Sequence, residues 1–136
     1  MMPPNQFKPA IENRGRAEPV EIWRARKFIE EHASEELSLI KVAKAANISP
    51  NYLSEKFKQV TGINFSDYVA RIRFENACRL LQDVDLRISE IAFAVGFQSL
   101  SQFNRVFKKL SGKSPTQYRS TFERGEPPLK PETQFL

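Results

Sequence analysis

"AVGFQSLSQFNRVFKKLSGKSPTQYR", residues 94–119, reads as helix, tight turn, helix, turn and the start of another helix. Its apolar residues Phe103, Val106, Phe107 and Leu110 recur at helical spacing, with nothing that alternates like a strand. Gly96 and Gly112 punctuate it, and Ser114-Pro115 has the form of an N-cap followed by proline in the first helical position. The stretch contains no Asp or Glu, and the acid-free run extends from Ile91 to Phe122.

That run stands out against the rest of the chain. The 136 residues have a net charge of only +5, although the isoelectric point near 9.5 points mildly to a polyanionic partner. Residues 20–48 have five basic and five acidic side chains, 49–74 four and two, and 75–96 two and four. Residues 97–122 have five basic and none acidic, so the excess can be placed there, with a smaller excess at 49–74.

Proline marks the ends. Pro3, Pro4, Pro9 and Pro19 precede the first periodic segment, and Pro127, Pro128 and Pro131 follow the last. Residues 1–19 therefore read as a flexible tail or an interdomain linker, and 123–136 as a flexible C-terminal tail. Between them the expected fold is all-α, with seven helices at 20–33, 39–46, 50–61, 65–82, 88–95, 100–111 and 115–122. The fourth is the longest, with an apolar stripe through Phe65, Tyr68, Val69, Ile72, Ala77 and Leu80.

The chain also repeats itself. Displaced by 50 positions, Ser49 falls on Ser99, Phe57 on Phe107, Lys58 on Lys108, Gly62 on Gly112 and Tyr68 on Tyr118. Before the turn the displacement is 49, setting Val42 and Ala43 on Ile91 and Ala92, so one residue has been inserted near Gln98. The organisation is two helix-turn-helix units joined by the long fourth helix: a first subdomain at 20–82, with its connecting helix, and a second at 83–122.

A short αα-corner alone says little about function, but the helical wheels say more. Phe103, Val106, Phe107 and Leu110 turn one side of the sixth helix inward, which leaves Ser101, Asn104, Arg105 and Lys108 outward. In the third helix, burial of Leu53, Phe57 and Val60 leaves Asn51, Ser54, Glu55 and Lys58. Both faces place hydrogen-bonding groups early and lysine late, as suits a helix in a DNA major groove: fixed donors and acceptors meet base edges and lysines meet phosphates. A merely solvated face usually mixes Glu with Lys, whereas a polyphosphate surface repels carboxylates.

"ISEIAFAVGFQSLSQFNRVFKKLSGKSPTQYR", residues 88–119, resembles the second helix-turn-helix of AraC/XylS-type transcriptional regulators, with the pattern I-x-x-I-A-x-x-x-G-F, an aromatic, then F-K-x-x-x-G-x-S-P-x-x-Y-R. Residues 38–82 resemble the first unit with its connecting helix, and the likeness covers about 20–122. Ile91, Gly96, Phe97, Phe103, Phe107, Gly112, Pro115 and Tyr118 match as fold determinants. The resemblance implies a bacterial, sequence-specific double-stranded DNA-binding regulator whose third and sixth helices enter successive major grooves. It maps base reading onto Asn51, Ser54 and Glu55, and onto Ser101, Gln102, Asn104 and Arg105. Ser99 and Gln102 also form a capping-box pattern, so Gln102 stands between cap and base.

Arg105 suits a bidentate contact to guanine, Asn51 or Asn104 one to adenine, and Glu55 either a cytosine amino group or a neighbouring lysine. Lys58, Lys108, Lys109, Lys113 and the helix start at Ser114 are the expected phosphate contacts. A fourth helix of about 18 residues spans roughly 27 Å, near the ~34 Å between equivalent points on one face of DNA. The two faces differ in sequence, so the expected site is asymmetric.

Other classes fare worse. The lone histidine, His32, sits in "FIEEHASEE" and reads as solvated helix surface. No Ser/His/Asp or Cys/His set and no phosphate-cradling glycine loop can be assembled, so no enzyme, cofactor or metal is expected. Cys78, the one cysteine, lies near the apolar stripe as a packed thiol, and its solitude fits a reducing compartment. Without an apolar leader or span the expected location is the cytoplasm, with the nucleoid. A helical protein-interaction module is the competing reading. RNA fits less well, because its major groove is deep and narrow. Family members usually attach this domain to a separate effector or dimerisation domain, and an activator would also meet RNA polymerase.

Overall fold

The computed structural model of the protein describes residues 18–123. Among these there are seven helices and no strand: α1 (Val20–His32), α2 (Leu39–Ala46), α3 (Pro50–Thr61), α4 (Phe65–Leu80), α5 (Ile88–Ala94), α6 (Leu100–Ser111) and α7 (Pro115–Glu123). The small differences from expectation lie at fraying ends. Leu81, Gln82 and Asp83 continue α4 with amide bonds to Ala77, Arg79 and Leu80, the last two over three residues. Ala33 and Val95, just past α1 and α5, keep right-handed helical backbone. Of the two expected tails, all but Glu18, Pro19 and Glu123 lies outside the described residues.

The described residues form two compact units that divide between Val69 and Ala70, inside α4. In the first, Ile22, Ala25 and Ile29 of α1, Val42, Ala43 and Ala46 of α2, Leu53 and Phe57 of α3 and Tyr68 of α4 are all buried. In the second, Phe74, Ala77, Cys78 and Leu81 pack with Ile91, Ala92, Val95, Phe97, Phe103, Phe107 and Tyr118 in one core. Each fully buried phenylalanine contributes roughly 1.5–3 kcal/mol of transfer free energy.

The repeat extends to geometry. Phe57 meets Tyr68 edge-on at 5.0 Å between ring centroids, and Phe107 meets Tyr118 edge-on at 5.4 Å. Thr61 donates to the Phe57 carbonyl at 2.8 Å, and Ser111 to the Phe107 carbonyl at 2.8 Å. Gly62 and Gly112 end α3 and α6 at φ 86° and 79°, each donating to the carbonyl four residues earlier at 2.8 Å. At the turns, Asn47 and Gly96 have φ 64° and 112°, and Ile48 and Phe97 donate to the carbonyls of Ala43 and Ala92.

The duplication also reaches further upstream than residue identities suggest. Displaced by 52 positions, Ile22, Ala25 and Ile29 fall on Phe74, Ala77 and Leu81, and all six are fully buried. So α1 and the second half of α4 play the same part in their respective cores. The long helix is the last helix of one unit running into the first helix of the next.

Candidate nucleic-acid interface

Two helices, α3 and α6, are built alike at both ends. Ser49 and Ser99 accept the amides of Tyr52 and Gln102 at 3.1 and 3.0 Å, satisfying amides that the helix itself cannot. Buried Leu53 and Phe57, and Phe103 and Phe107, fix which side of each helix faces in. Asn51, Ser54, Glu55 and Lys58 are consequently exposed on α3, and Ser101, Asn104, Arg105, Lys108 and Lys109 on α6. Gln102 lies at the margin of its face and is half-buried, as are Lys113 and Ser114 beyond the helix.

Asn51, Ser54 and Glu55 occupy the same places in α3 as Ser101, Asn104 and Arg105 in α6, 50 residues on. At the centre of the two faces a carboxylate thus corresponds to a guanidinium: one unit presents an acceptor where the other presents a donor. Glu55 makes no ion pair with Lys56 or Lys58, so among the described residues no lysine partner holds it.

Ion pairs gather elsewhere. Arg26 binds Glu18 through Nε and Nη2 at 2.7 and 2.8 Å, Lys27 reaches Glu30, Glu35 meets His32 and Lys41, and Arg71 meets Glu75. Among the described residues Lys58, Arg105, Lys108, Lys109 and Lys113 enter none. Arg119 is different in kind. Its guanidinium donates to the carbonyls of Leu81 and Asp83, both at 3.1 Å, and so closes the C-terminal end of α4. Of the five basic residues in the acid-free segment, one is thereby committed to the scaffold.

The cap positions narrow two roles. At α6, Gln102 Oε1 accepts the amide of Gln98 at 3.0 Å while Gln102 donates its own amide to Ser99. The serine half of the expected capping box is therefore formed, while the glutamine oxygen meets the amide of the inserted residue Gln98 and not that of the N-cap Ser99. At α7, the Ser114 amide donates to Gln117 Oε1 at 2.9 Å and the Gln117 amide donates to Ser114 Oγ at 3.1 Å. Two amides expected to be open to a phosphate are met inside the protein. Sequence reading missed Gln117, though the Ser-x-x-Gln pattern that found Gln102 recurs there.

Between the end of α6 and α7 an open depression of about 420 Å³ is lined by Lys108, Gly112, Lys113, Gln117 and Ser120. Gln117 and Ser120 had no part in the expected site. Tyr52 stands in α3 where Gln102 stands in α6, and its hydroxyl donates to Glu21 at 2.8 Å. A backbone hydrogen bond and this hydroxyl hold the Glu21 carboxyl below its ordinary range. Cys78 is buried and shares a hydrogen bond with the Tyr118 hydroxyl. Among the described residues no His, Cys, Asp and Glu set could hold a metal ion, and no helix is long and apolar enough to cross a membrane.

With this geometry in view, a helix-turn-helix domain model matches residues 42–121. The C-terminal domain of AraT, a response regulator from Geobacillus stearothermophilus, is 42% identical and superposes with a TM-score of 0.74, over 78% of this chain and 88% of that one. The DNA-binding domain of AdpA, a global transcriptional factor solved with a target DNA, is 25% identical with a TM-score of 0.73, over 77% and 95%. The Escherichia coli HTH-type transcriptional regulator YijO is 38% identical over 109 residues, which are 79% of this chain and 38% of the relative. The chain thus spans well under half the length of that relative.

Proposed function

The chain belongs to the AraC-type helix-turn-helix family of transcriptional regulators, a family of DNA-binding domains rather than enzymes, and on that premise we propose that it recognises one asymmetric double-stranded DNA site through α3 and α6 in successive major grooves. Base reading is assigned to Asn51, Ser54, Glu55, Ser101, Gln102, Asn104 and Arg105. Phosphate contact is assigned to Lys58, Lys108, Lys109, Lys113 and the helix start at Ser114.

The observation that carries this reading is the duplicated pair of equally capped helices, whose outward faces coincide in position and differ in chemistry. With Glu55 answering to Arg105, the two half-sites call for opposite hydrogen-bond polarity, so a palindrome would satisfy only one of them. A bound DNA in the AdpA complex supports the class of ligand. The greater length of YijO supports a separate effector or dimerisation domain in the functional regulator. RNA polymerase is the further partner if the protein activates, and the nucleoid is the corresponding location.

Selection of bound sequences from a random duplex pool tests the proposal, followed by fluorescence anisotropy on the winner. Arg105→Ala should lose about 1–3 kcal/mol on the selected site and little on random duplex. Equal losses on both would remove Arg105 from base reading. Failure of the wild type to bind any duplex at low salt would favour a protein-interaction module instead.

A further inference from the structure

The two helix-turn-helix units differ by one residue at the turn. Asn47-Ile48-Ser49 in the first corresponds to Gly96-Phe97-Gln98-Ser99 in the second, and Gln98 is the addition. The Gln98 amide is met by Gln102 Oε1 at 3.0 Å, and the Gln102 amide by Ser99 Oγ at 3.0 Å. In the first unit, which has no extra amide to satisfy, the corresponding Tyr52 sends its side chain to Glu21 instead.

An N–H can be satisfied only by an acceptor, so this contact fixes which end of the Gln102 carboxamide is oxygen. The other end, Nε2 with two N–H groups, has no partner among the described residues, and the side chain stays half-exposed in the first turn of α6. Arg105 follows three residues later on the neighbouring part of the helix surface.

We propose that Gln102 is a donor-only reading group, oriented by the inserted Gln98, that selects a keto base edge in the major groove: guanine first, thymine second. Guanine offers two adjacent acceptors, N7 and O6, to an amino group, and thymine offers O4. The paired glutamine–adenine contact needs the oxygen as well as the nitrogen, and here the oxygen is turned to the turn backbone. Cap and reader are then one role, since the cap sets the polarity of the reader. The inference rests on the DNA-reading proposal above.

The test compares sequences selected from a random duplex pool by the wild type, Gln102→Glu and Gln102→Ala. Glutamate keeps an oxygen for the Gln98 amide and replaces the donor with an acceptor. It should fold with a thermal midpoint close to the wild type and shift one position of the selected site from guanine or thymine to cytosine, with about a tenfold swing in relative affinity. Alanine should make that position degenerate and lower the midpoint. A second measurement uses the wild type alone: 7-deazaguanine at that position should weaken binding severalfold. Identical base preferences for wild type and Gln102→Glu at every position would overturn the proposal and leave a cap only. So would a wild-type preference for adenine there. If the wild type selects no sequence at all, the DNA-reading proposal fails and this one falls with it, a result distinct from either of the others.

Discussion

Gly112 ends α6 at φ 79°, and a Cβ added there would meet nothing within 4 Å. Its replacement by alanine therefore isolates one effect, the left-handed backbone strain of an L-residue, with no steric clash added. We expect Gly112→Ala to cost about 1–2 kcal/mol in urea unfolding. Gly112→Asn should cost less, since asparagine tolerates this region, as Asn47 does at φ 64° in the first turn. An alanine variant as stable as the wild type would show that the turn relaxes by another route. The exposure of Ser101, Asn104, Arg105 and Lys108 was legible from the wheel because their neighbours Phe103 and Phe107 define the buried side. The roles of Gln117 and Arg119 were not, because what a long polar side chain binds is settled by what the fold brings beside it. For Arg119 these are the carbonyls of Leu81 and Asp83, 38 and 36 residues away in sequence.

Helix boundaries followed closely from serine, proline and glycine, whose backbone chemistry is local. The composite character of α4, whose second half matches α1, was hidden for the opposite reason. Its equivalence with α1 rests on the spacing of Ile22, Ala25 and Ile29 against Phe74, Ala77 and Leu81, of which only the alanine pair preserves identity. The loop that follows also changes length, which breaks a single displacement. This equivalence places Cys78 where Arg26 stands in the first unit, hydrogen-bonded to Tyr118 as Arg26 is to Tyr68. Burial pushes the Cys78 thiol from its ordinary 9.0 to about 12, against a smaller lowering by its hydrogen bond with Tyr118. A raised value means that the folded state favours the protonated thiol. Its contribution to stability is fully present below about 9 and is lost as pH rises through about 12. At pH 8 native Cys78 should react with iodoacetamide about a thousandfold more slowly than in the denatured chain, on thiolate population alone. Fast labelling under native conditions, measured by mass spectrometry, would contradict the burial of this end of α4.

Across the whole molecule, net charge is a poor guide to binding because equal charges do unequal things. Arg119 is spent on backbone carbonyls and Arg26 on Glu18, whereas Lys58, Lys108, Lys109 and Lys113 enter no ion pair among the described residues. If those four lysines each neutralise one phosphate, log K against log salt should fall with a slope of roughly −3.6, at about −0.9 for each contact. The Ser114 helix start has no net charge and adds nothing to this slope, even where the one amide left open there, that of Thr116, touches phosphate. Lys113→Ala should reduce the slope by about one unit on both selected and random duplex. Arg119→Ala removes the same formal charge from the same segment and should leave the slope unchanged, while lowering the thermal midpoint through loss of the α4 cap. Anisotropy titrations over a range of salt, run on both variants, separate position from total. Were the two slopes to fall equally, binding would follow the summed charge of residues 97–122, and the assignment of individual lysines to phosphates would have to be given up.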